Sequence, residues 1–114
     1  MKMLVAVLND EKRLDEILLQ LQELGIKGAT VIDSIGMGGI LGIKIPFIKT
    51  HQLVQIHKPD NKTIFSVIDD EEILRKAVNM LKERLELGEP GTGFVFVLPV
   101  LEVHGTAEIS DSQI

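Results

Sequence analysis

At 114 residues and a formal net charge of −5, the chain has room for one domain and lacks the basic surplus of a general nucleic-acid binder. It contains no cysteine, which excludes disulfides, thiolate metal sites and a cysteine nucleophile and suits a reducing compartment. Its only aromatics are four phenylalanines in a chain that is 45% hydrophobic, so the core is built from Ile, Leu and Val.

Residues 3–8 form an unbroken, Val-containing apolar run that reads as a buried strand. The run is too short for a signal-peptide core or a membrane span, so the expectation is a cytoplasmic protein without membrane insertion. Asn9 or Asp10 then offers an N-cap oxygen. Leu14, Ile17, Leu18, Leu21 and Leu24 recur at spacings of three and four, which predicts a helix over 11–24 ended by Gly25. A second strand is expected over 29–35.

From residue 36 to about 61 no period is sustained, a long connection for so small a domain. Leu41, Ile43, Ile45, Phe47 and Ile48 make it too apolar for a plain linker, so part of it should extend the flanking strands or pack on a neighbouring subunit. A third strand is expected over 63–68. Asp69 with Glu72 three residues later has the pattern of a capping box. Ile73, Ala77, Leu81 and Leu85, with Leu74 and Val78, form the stripe of a second helix over 70–87, with Gly88 as its end. The fourth strand is expected over 93–103, and Pro99 inside it calls for a sheet edge. The order β-α-β-β-α-β predicts an α+β, ferredoxin-like fold: a four-stranded antiparallel sheet with two helices on one face. The domain is expected over 1–105 and a small polar tail over 106–114. Strands one and four are apolar on both faces, so the open face of the sheet should be buried in an oligomer.

Gly88-Glu-Pro-Gly-Thr-Gly-Phe-Val-Phe-Val-Leu-Pro-Val100 runs from helix end to turn to strand. Gly91 and Gly93 allow a sharp bend with bare N–H groups, a geometry able to hold an anion; the same turn also serves as a simple helix-to-strand link. Lys44, Lys49, Lys58 and Lys62 against Asp60 give the 36–62 segment a local balance of +3 on an otherwise acidic body. Such a segment suits docking to an anion or an acidic partner, or simply keeps a loop solvated.

Leu24-Gly-Ile-Lys-Gly-Ala-Thr-Val31 leading into Ile35-Gly-Met-Gly38, the Asp69-Asp70 helix start and above all the Gly88–Val100 stretch resemble the P-II nitrogen regulatory signalling proteins over almost the full chain. The resemblance implies a non-enzymatic homotrimer that binds a small effector, an adenine nucleotide in that family, in clefts between subunits. It further implies that the 36–62 loop, in the place of the family's T-loop, contacts a protein partner, membrane transporters among them. The effector residues implied are Gly36, Gly38, Gly91, Thr92 and Gly93, with Lys44 and Lys49 recruited from the loop. Three departures stand out. Phe94 occupies the place of the family's phosphate-binding lysine, Gly39 that of an arginine, and residues 105–107 lack the family's basic residues. These departures favour ADP or AMP over ATP. The loop has no tyrosine, so uridylylation is excluded.

A divalent-metal trimer of the CutA type is the alternative, with His51 and His57 as weak candidate ligands. The acids at 69–72 fit capping and the helix dipole better than a cation site. No nucleophile–base–orienter set is visible, and Gly36-Met-Gly-Gly39 is not a P-loop.

Overall fold

The computed structural model describes residues 1–37, 61–88 and 91–105. Along the chain it places β1 (Lys2–Leu8), a 3-10 turn (Glu11–Arg13), α1 (Leu14–Glu23), β2 (Thr30–Ser34), β3 (Asn61–Ile68), α2 (Glu71–Arg84) and β4 (Gly93–Pro99). The sheet order is β2-β3-β1-β4 and every neighbouring pair is antiparallel. This is the expected α+β ferredoxin-like arrangement. Pro99 does lie on an edge strand, where its missing donor costs no ladder bond on the open side.

The register assigns every strand residue to a face. Leu4, Ala6 and Leu8 of β1, Ile64 and Ile68 of β3 and Val95 and Val97 of β4 share one core with Ile17 and Leu21 of α1 and Leu74, Ala77, Val78 and Leu81 of α2. Both helices therefore cover the same face. Ser66 is the polar exception in this layer, and its hydroxyl donates to the Gly28 carbonyl at 2.8 Å, so its burial is compensated.

The other face carries Met3, Val5, Val7, Phe65, Val67, Phe94, Phe96 and Leu98. Val5, on the central strand, is only 2% exposed because Phe65 and Phe96 flank it across the two neighbouring ladders. Toward the β4 edge the cover runs out: Phe94 is 55% and Phe96 41% exposed, with their rings stacked 5.9 Å apart.

Element ends depart from the sequence expectation in several places. The first helix opens as a 3-10 turn, with the Asp10 carboxylate accepting from Lys12 N–H. Asp70, not Asp69, caps α2 and accepts from the N–H groups of Glu72 and Ile73, so Glu72 falls one position short of the reciprocal capping box. β3 starts two residues early, at Asn61, and β4 stops at Pro99 rather than 103. Gly88 does not end α2 either. Glu86 takes the left-handed position at φ 50°, its N–H donating to Glu83 O while Leu87 N–H donates to Lys82 O, the same double closure that Gly25 makes after α1. A glycine fits that conformation without the Cβ penalty, so Glu86→Gly should stabilise the protein by about 0.5–1 kcal/mol in urea denaturation.

Between β1 and α2, Lys2 Nζ donates to Glu71 Oε1 at 3.0 Å. That bond, with Arg75 adding to it, holds the Glu71 carboxyl below its ordinary value. A depressed folded-state value contributes stability above the ordinary carboxylate range, and the contribution is lost as pH falls through the lowered one. Lys2→Gln should therefore move the Glu71 titration midpoint upward, as followed by carboxyl-carbon NMR.

Candidate functional site

Where the ends of β1, β2 and β3 meet the glycine turn before β4, the described residues enclose a cleft of about 670 Å³, within the range of small-molecule sites. Its walls are Val7, Ile35, Met37 and Phe94, its glycines are Gly36 and Gly91, and its polar groups are Asn9, Ser34, Asn61 and Thr63. None of these is charged.

The turn is held by β1. Asn9 Nδ2 donates to the Gly91 carbonyl at 2.7 Å, and the Asn9 backbone N–H donates to Thr92 O at 3.3 Å. Gly91 has φ 80° with open space where a side chain would stand. Gly93 has φ 142°, and a Cβ there would lie 2.2 Å from the Val7 carbonyl oxygen, so the first residue of β4 lies against β1 in a way only glycine permits.

On the opposite side, Ser34 and Asn61 are cross-strand partners at the end of the β2–β3 ladder. The Ser34 hydroxyl donates to Asn61 Oδ1 and lies 2.8 Å from Thr63 Oγ1, while Asn61 Nδ2 reaches Asn9 Oδ1 at 3.5 Å. A chain of neutral hydrogen bonds thus joins the glycine turn to the end of β2 and the start of β3. Outside the cleft, the Lys62 ammonium bonds Asp33 Oδ1, which ties β3 to β2 and raises the Lys62 pKa, and it lies 3.8 Å from Glu11 Oε2 of the 3-10 turn.

Of the residues expected from sequence, the structure brings Gly36 and Gly91 to one cleft. Gly93 sets the approach of β4, and the Thr92 hydroxyl donates to Glu86 O on the helix side, where it borders a separate pocket of about 180 Å³. Gly38, Lys44, Lys49, His51 and His57 lie outside the described residues. Among the described residues no group of three or more His, Asp or Glu is placed to hold a metal, and no helix is long and apolar enough to cross a membrane. Asn9, Ser34, Asn61 and Thr63 were not legible as site residues from sequence. No sequence signal marked them: the start of β3 is polar at three successive positions, Asn61, Lys62 and Thr63, and merges with the connection before it.

The family model for nitrogen regulatory protein P-II matches residues 1–107. The chain belongs to the P-II family. Among P-II relatives, it is 30% identical over 104 residues to the nitrogen fixation nifHD region GlnB-like protein 1 of Methanothermococcus thermolithotrophicus, covering 91% of each chain. It is 30% identical over 103 residues to the nitrogen regulatory protein P-II of Azospirillum brasilense, covering 90% of this chain and 88% of that one. The nitrogen regulatory protein P-II 1 of Methanothermobacter thermautotrophicus is 29% identical over 103 residues, 90% of this chain and 86% of its own. A solved PII-like signaling protein from Thermus thermophilus superposes with a TM-score of 0.57 at 16% identity, over 84% of this chain and 81% of that one, a likeness of fold.

Proposed function

We propose that this P-II protein is a non-enzymatic cytoplasmic regulator. A small effector binds in the cleft between Gly36 and Gly91, and its occupancy is passed to a protein partner through the 36–62 loop. The observation that carries the reading is the cleft itself: in a P-II chain, the two glycine segments that sequence singles out converge on one space, joined by hydrogen bonds from Asn9 to Asn61 and Ser34. A homotrimer fits the uncovered aromatic end of the sheet and makes the cleft an intersubunit one. Gly38, Lys44 and Lys49 complete the proposed site from the loop. A transporter is one class of partner that such a loop would serve.

The ligand class follows from charge. The described lining has no cation, and Phe94 stands where a phosphate-binding lysine would. A charge-assisted contact contributes roughly 1.5–3 kcal/mol, so its loss weakens a triphosphate by at least about tenfold. Calorimetry should find ADP or AMP bound more tightly than ATP; submicromolar ATP affinity would overturn this. In a thermal-shift comparison nucleotides should raise the melting temperature, whereas a rise with Zn²⁺ or Cu²⁺ alone would favour a metal-binding trimer.

A further inference from the structure

We propose that Asn61 and Thr63 form the specificity-determining edge of this cleft, a neutral donor–acceptor pair. It selects a planar, uncharged group carrying a hydrogen-bond donor beside an acceptor: a primary carboxamide or the amino-azine edge of a nucleobase. The proposal rests on the reading of the cleft as an effector site.

Proton bookkeeping carries the argument. The Ser34 hydroxyl has one proton, and it is given to Asn61 Oδ1. The 2.8 Å contact between Ser34 Oγ and Thr63 Oγ1 must then be made by the Thr63 proton. Thr63 Oγ1 is left with acceptor capacity and no proton to give. Asn61 Nδ2 carries two protons, and the contact to Asn9 Oδ1 uses one of them, at 3.5 Å. The pair therefore presents a donor on Asn61 next to an acceptor on Thr63. Both residues are more than nine-tenths buried, at 7% and 8% exposure, and both line the cleft. A buried donor and acceptor favour a ligand that satisfies both and penalise one that leaves either unpaired. A carboxylate in the same place would satisfy Asn61 and set its lone pairs against Thr63. The exposed Phe94 ring lines the same cleft and offers an apolar surface to a planar group.

The test uses the whole ¹⁵N-labelled chain and two matched pairs of probes. Adenosine is compared with purine riboside, which lacks the amino donor, and nicotinamide with nicotinate, which replaces the amide donor by charge. ADP is titrated alongside. The expected result is a preference of about tenfold for the donor-bearing member of at least one pair, with the Asn61 side-chain amide resonances moving on binding; the pair that shows it identifies the source of the group. Thr63→Val should reduce the preference to within about twofold, and Thr63→Ser, which keeps the hydroxyl, should retain it. A preference that survives Thr63→Val overturns the proposal. So does its absence from the wild-type protein while ADP still binds, which leaves the effector reading standing. If neither ADP nor any probe perturbs the cleft, the effector reading falls and the proposal falls with it.

Discussion

Gly93→Ala is expected to lower stability by at least about 3 kcal/mol and to abolish effector binding with it. Two costs combine. The backbone at φ 142° is one that a residue with a Cβ rarely adopts, and the added carbon would stand 2.2 Å from the Val7 carbonyl oxygen. That oxygen belongs to the central strand, whose ladders run to both β3 and β4, so it cannot retreat as the tip of a flexible side chain can. The relief is for β4 to peel from β1 at the Leu8–Gly93 pair, which also frees the turn that carries Gly91. Gly91→Ala is the internal comparison. It too has a positive φ, 80°, but nothing stands within 4 Å of the added carbon, so strain of about 1 kcal/mol is the whole expected effect. Urea denaturation of the two variants separates them, and equal midpoints would show that the close approach at Gly93 has no energetic weight.

Phe96→Glu should convert the proposed trimer to a monomer. Phe96 and the stacked Phe94 form an uncovered aromatic pair on the open face of the sheet, and an aromatic of this size buried at a subunit contact contributes about 2 kcal/mol or more. Replacing the ring with a carboxylate removes that contribution and adds the cost of burying an unpaired charge, several kcal/mol. Because the substitution recurs in each copy, association should weaken beyond a thousandfold. Light scattering at micromolar concentration should give about three times 12.6 kDa for the wild-type protein and 12.6 kDa for the variant, with the fold unchanged by circular dichroism. Leu19, 59% exposed on the helical side, serves as control, and Leu19→Glu should leave the mass as it was. A wild-type protein that is already monomeric would refute the assembly.

The residues of the two helical stripes and four β-rich runs were enough, by periodicity alone, to specify element order and fold class. The two glycine segments were equally plain, because glycine acts through a property it carries by itself; the departure at Phe94 stood out only against the family that the chain resembles. Element ends were less legible. Asp69 and Asp70 offer the same capping oxygen, and only the path of the chain into α2 decides between them. Glu86 holds a left-handed position that its type disfavours, with Gly88 two residues away, because the closing hydrogen bonds to Lys82 and Glu83 fall at Glu86. The polar side of the cleft belonged to tertiary structure entirely. Asn9, Ser34, Asn61 and Thr63 are unremarkable in sequence and come from three separate stretches of it; they meet because antiparallel pairing sets Ser34 opposite Asn61 and brings the end of β1 alongside. A hydrogen-bonded cluster of neutral groups leaves no charge run, no period and no spacing to read, since each member needs its partners only in space. Composition and periodicity therefore determined what this protein is built like, and the register of three strands decided which four polar side chains face its cleft.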